Sequence, residues 1–164
     1  MHEISEGNLL EMRNLISYRN KITQQQMSSV MNEINEIIST NGAEKTGNPI
    51  STTFSVENNL SQPMMDMEIL IPLNKSISVP SGYTFKPIFR LNNAVKVRHT
   101  GNPATLQQSA DELMKYISEK KLMPVTSGYN VSLNEVSKDD IENFSMDIYV
   151  GVCDNILWSN YLLY

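Results

Sequence analysis

Two carboxylates stand inside otherwise apolar runs, Glu68 in Met67-Glu68-Ile69-Leu70-Ile71-Pro72-Leu73 and Asp147 in Met146-Asp147-Ile148-Tyr149-Val150-Gly151-Val152. Successive residues of a strand face opposite ways. If both runs are strands, Met67, Ile69, Ile71 and Leu73 form one face, while Glu68 with Leu70, and Asp147 with Tyr149, take the other. An acid on a strand ordinarily meets water. If that second face closes into a groove, however, Glu68, Asp147 and the Tyr149 ring would line it, a combination suited to a cationic or polar guest. The sequence leaves both alternatives open.

Other reactive residues are sparse. His2 lies at the terminus and His99 follows Val95 and Val97, where a single imidazole reads as a satisfied strand-end residue. Cys153 has no basic neighbour in sequence to lower its pKa and reads as a small buried hydrophobe. There is no glycine-rich phosphate loop, Cys-x-x-Cys pair, His-Glu-x-x-His or Gly-x-Ser-x-Gly elbow. Catalysis, a metal and a cofactor are therefore not expected. Aromatic and apolar residues gather instead in the tail, residues 153–164, where Leu157, Trp158, Tyr161 and Leu162 form either a last packed element or a partner-binding surface. Ten methionines, Met64, Met65 and Met67 among them, lean the same way, since the thioether adapts to varied surfaces.

An internal repeat must position these residues. A shift of 79 positions (146 − 67), without a gap, lays the Glu68 run on the Asp147 run. It also carries Met27 onto Leu106, Ile34, Ile37 and Ile38 onto Leu113, Tyr116 and Ile117, and Leu9, Leu10 and Met12 onto Ile88, Phe89 and Leu91. The apolar pattern persists where identity does not, which is the signature of a repeated unit. Each copy begins with an extended stretch, residues 9–21 and 86–99, followed by an amphipathic helix. Leu106, Ala110, Leu113 and Ile117 line one face of the second helix, after the start signal Asn102-Pro103. Turn chemistry at Asn41-Gly42 and Lys120-Lys121 stops the helices, and two strands close each copy, residues 50–56 with 67–73 and 129–133 with 146–152. Residues 57–63 and 134–143 read as hairpin loops, and residues 74–83 as the crossing between copies. The expectation is an α+β fold of duplicated strand–helix–strand–strand units, about 9–73 and 88–152, forming an antiparallel sheet with both helices on one face, in a single domain of residues 1–164.

The chain's 164 residues, 40% of them hydrophobic and 19% charged, suffice for one folded core. A net charge of −5, with Lys and Arg scattered, gives no electrostatic reason to bind nucleic acid. One cysteine, no signal peptide and no spanning apolar run place the protein in the cytoplasm, outside the membrane.

The order Val97-Arg98-His99-Thr100-Gly101-Asn102-Pro103-Ala104-Thr105-Leu106, a helix, Gly128-Tyr129-Asn130-Val131-Ser132-Leu133-Asn134 and the Asp147 run resembles the GyrI-like family, which includes effector-binding domains of AraC-type and MerR-type regulators. The resemblance implies a groove for hydrophobic, often cationic, small molecules, with an acidic residue contacting the guest in some members. No helix-turn-helix accompanies the domain in these 164 residues, which argues against a one-component transcription factor. The Glu68 run and its polar surroundings are also similar to small standalone proteins of type VII secretion loci, EsaE-like toxin escorts. The first expectation is thus a non-enzymatic adaptor whose partner is a secreted toxin or substrate. The alternative is a domain that binds or senses a small hydrophobic or cationic molecule.

Overall fold

A computed structural model describes residues 3–58, 61–134 and 141–153. Among them are six strands, β1 (Ile4–Thr23), β2 (Ile50–Glu57), β3 (Met64–Pro72), β4 (Tyr83–Thr100), β5 (Pro124–Ser132) and β6 (Ser145–Val152), and two α-helices, α1 (Met27–Thr40) and α2 (Leu106–Glu119). β1 pairs with β3, β2 with β3 and β5, and β4 with β6, all antiparallel. The described residues divide into two compact units, one of residues 11–58, 61–90 and 129–132, the other of residues 3–10, 91–128, 133–134 and 141–153.

In the first unit β3 lies between β1 and β2, with Tyr18 opposite Ile69 and Thr52 opposite Glu68. Ile50 of β2 also pairs with Val131 of β5. Val30, Ile34 and Ile38 recur every fourth residue on α1, the spacing that brings side chains onto one helix face. They meet Ile16, Ile22, Met67, Ile69 and Ile71 in one buried cluster, so the odd-numbered residues of β3 face the helix. Thr23 at the helix entrance donates its backbone N–H to Gln26 Oε1 at 2.9 Å. Past Asn41 the chain turns at Gly42, whose φ of +60° favours glycine.

The second unit pairs β4 with β6, Val97 opposite Ile148 and Arg98 opposite Asp147. Val95, Val97, Ile148, Val150 and Val152 pack against Leu113 and Ile117 of α2. Asn102 accepts a 2.9 Å hydrogen bond from the backbone N–H of Ala104, with Pro103 opening the turn into the helix. At the far end Lys121 takes the left-handed conformation, φ +56°, that Gly42 takes after α1.

Two pairs of elements open at a common offset. Ile4 and Tyr83 open β1 and β4, 79 positions apart (83 − 4), and Met27 and Leu106 open the helices at the same interval (106 − 27). The remaining elements depart from it: β5 starts at Pro124, earlier than the expected Tyr129 and 74 positions after Ile50 (124 − 50), and β6 starts at Ser145, 81 after Met64 (145 − 64). The long strands also run beyond the expected 9–21 and 86–99, to Ile4–Thr23 and Tyr83–Thr100.

Candidate functional site

Glu68 lies on the face of β3 that points away from α1, and it is buried, 5% exposed. Arg19 and Thr52 are its direct cross-strand neighbours on β1 and β2. Ser17 Oγ donates to Glu68 Oε1 at 2.6 Å, and the Lys86 ammonium forms an ion pair with the same oxygen. Of the two alternatives for this face, the solvated one does not hold at Glu68: an internal cation and a hydroxyl satisfy the carboxylate where water would otherwise be needed. Leu70 on this face pairs with Ile50, and Ile50 with Val131, so Tyr129, two residues before Val131, takes the same face. Tyr129 is half-buried, and its ring centroid lies 4.9 Å from that of Phe89, tilted by 56°. Burial first, then the Glu68 carboxylate, hold the Tyr129 hydroxyl above its ordinary pKa, with Arg19 opposing. Arg19 itself bonds Asp66 at 3.3 and 3.4 Å and lies 3.9 Å from the centre of the Phe54 ring.

Asp147 belongs to the second unit and is 2% exposed, again on the face away from its helix. Arg98 grips it with two hydrogen bonds, Nε at 2.8 Å and Nη2 at 2.9 Å, and Lys96 Nζ stands 3.8 Å away. This side-on fork is the strong geometry for a guanidinium and a carboxylate, and the hydrogen bond to Asp147 raises the Arg98 pKa. The half-buried Tyr149 ring lies 5.9 Å from Lys96 Nζ; desolvation, then the Asp147 charge, push its hydroxyl pKa upward. A recess of about 120 Å³ is lined by Lys96 and Arg98 together with Glu3 and Ser5, while Asp147 itself sits behind its cations.

Of the residues singled out in sequence, Glu68 therefore lies in one unit and Asp147 and Tyr149 in the other. Leu157, Trp158, Tyr161 and Leu162 lie outside the described residues. Ser17, Lys86, Lys96, Arg98 and Tyr129 escaped sequence reasoning. The repeat itself carried a signal for one of them, since Arg98 stands 79 positions (98 − 19) after Arg19, each directly across from an acid. His99 is buried, its Nε2 donating to the Asn102 carbonyl at 3.1 Å and its Nδ1 lying 2.8 Å from Ser109 Oγ. Cys153 is half-buried instead of fully enclosed. Among the described residues no three His, Cys, Asp or Glu side chains form a metal-holding group, and no helix is long and apolar enough to cross a membrane.

Among the described residues, six antiparallel strands and two helices in this order make an α+β fold that several solved structures share. In particular, the crystal structure of the EcmrR C-terminal domain matches it with a TM-score of 0.75 at 14% identity, over 93% of this chain and 98% of that one. A cryo-EM structure of an EcmrR–DNA complex matches with a TM-score of 0.78 at 15% identity over 92% of this chain, which spans 57% of that chain. A hydrolase from Listeria innocua is similar at a TM-score of 0.61 and 11% identity, covering 92% of both chains. No family model and no curated protein matches the sequence.

Proposed function

We propose that the protein is a non-catalytic small-molecule-binding domain built from two copies of one strand–helix–strand–strand unit. The observation that carries the reading is Glu68, an ionisable side chain buried on the sheet face that α1 does not cover, beside the half-buried Tyr129 and Phe89 rings. A leucine would fill such a position without the desolvation cost of a charge, and apolar walls with a few placed polar groups are the usual build of a ligand site. The likeness to the EcmrR C-terminal domain supports the same reading, because the GyrI-like resemblance implies a ligand groove. With a net charge of −5, we assign no role in DNA binding to this chain itself. The escort reading rests on residues 157–162 and gains nothing from the fold.

Titrating the protein with a panel of hydrophobic fluorescent probes tests the proposal. At least one probe should bind saturably, and Tyr129→Ala should weaken it by about tenfold, the loss of a partly buried aromatic contact, with the circular dichroism spectrum unchanged. Absence of saturable binding across neutral, anionic and cationic probes would sink it.

A further inference from the structure

We infer that the ligand site of this protein selects against cationic guests and takes neutral or anionic apolar molecules, with Lys86 as the residue that sets this preference. The inference rests on the ligand-binding reading above and concerns the charge of the guest.

Glu68 is the acid that a cationic guest would seek on this face. Its Oε1 already holds the Lys86 ammonium and the Ser17 hydroxyl, while the Arg19 guanidinium across the strand pair is bonded to Asp66. A second cation would have to displace Lys86 or lie beside it, and like charges brought together in a desolvated site repel strongly. The other unit shows the same arrangement independently. Asp147 is gripped by Arg98 through two hydrogen bonds and approached by Lys96, and the nearby recess is lined by these two cations with Glu3 and Ser5. Both buried acids are thus neutralised from within, while the cations that neutralise them stay partly open: the Lys86 side chain is 36% exposed and that of Arg98 51%. Arg98 spends only Nε and one Nη2 N–H on Asp147, so its remaining N–H groups are geometrically able to receive an anionic oxygen. Within the unit that holds Glu68, the guest that gains has an apolar body for Tyr129 and Phe89 and carries no positive charge.

Two ions of equal size and opposite charge, tetraphenylborate and tetraphenylphosphonium, separate the outcomes when titrated calorimetrically against the intact protein. Wild type should bind the anion about tenfold or more tightly than the cation. Lys86→Met should reverse the order, and Lys86→Arg, which keeps the charge, should retain the wild-type order. Should Lys86→Met fail to fold, Lys86→Gln replaces it in the same comparison. Adding Glu68→Gln to the neutral variant should remove the gained cation affinity. Equal or tighter binding of the cation by wild type, or an unchanged order in the neutral Lys86 variants, overturns the inference while leaving ligand binding intact. If neither ion nor any neutral probe binds, the ligand-binding reading fails and this inference with it.

Discussion

At the scale of single residues the most informative feature is the unequal burial of the Lys86–Glu68 pair, with the lysine side chain 36% exposed and the glutamate side chain 7%. Removing the partner of a deeply buried charge costs about 3–5 kcal/mol, whereas an exposed ion finds water instead. Lys86→Met should therefore destabilise the protein by ~2–3 kcal/mol, the Ser17 hydrogen bond offsetting part of that loss. Glu68→Leu should cost ~1 kcal/mol or less, because the released ammonium can turn to solvent. The double variant should return close to wild type, as buried pairs replaced by apolar residues often do. Urea denaturation of the four proteins gives the coupling directly. Equal costs for the two single changes would mean that the carboxylate reaches water in solution.

At the scale of elements, α1 and α2 anchor on corresponding residues, since Ile34 and Leu113 are both fully buried and stand 79 positions apart (113 − 34). Each faces the apolar side of its own strand pair. Truncating either to alanine should cost about 3 kcal/mol, the usual size for a large core aliphatic, and chemical denaturation would show the two losses to be similar. A cost below ~1 kcal/mol at one site would mean that the neighbouring strands collapse into the space there. These helices were legible in the sequence because apolar spacing, Asn102-Pro103 and the turn residues all act within a few positions. Strand faces were legible for the same reason: alternation around Glu68 and Asp147 placed both acids opposite the helices. The state of those acids was not legible. Lys86 reaches Glu68 from β4 and Ser17 from β1, and no local pattern encodes which cation a carboxylate will meet. Only the register of β4 against β6 brings Arg98 across from Asp147. Tyr129 and Phe89 meet through a pairing 40 positions apart (129 − 89), equally invisible to periodicity.

At the scale of the whole chain, the ligand-binding and escort readings differ in which residues should matter. A guest that binds only the folded protein stabilises it by RT ln(1 + [L]/Kd), about 2.7 kcal/mol at a concentration of 100 Kd. For a chain of 164 residues each kcal/mol raises the melting midpoint by roughly 2–4 °C. A saturating probe should thus raise it by about 5–10 °C. Under the ligand-binding reading, Tyr129→Ala should remove about half of this rise at fixed probe concentration, because a tenfold weaker complex recovers only ~1.4 kcal/mol of the 2.7. Trp158→Ala should leave the rise intact, since the proposed site is built from Glu68, Tyr129 and Phe89. Differential scanning fluorimetry on wild type and the two variants, each with and without probe, makes the comparison. If Trp158→Ala abolishes the probe response and Tyr129→Ala keeps it, then the surface that matters is the tail, and the escort reading regains its ground.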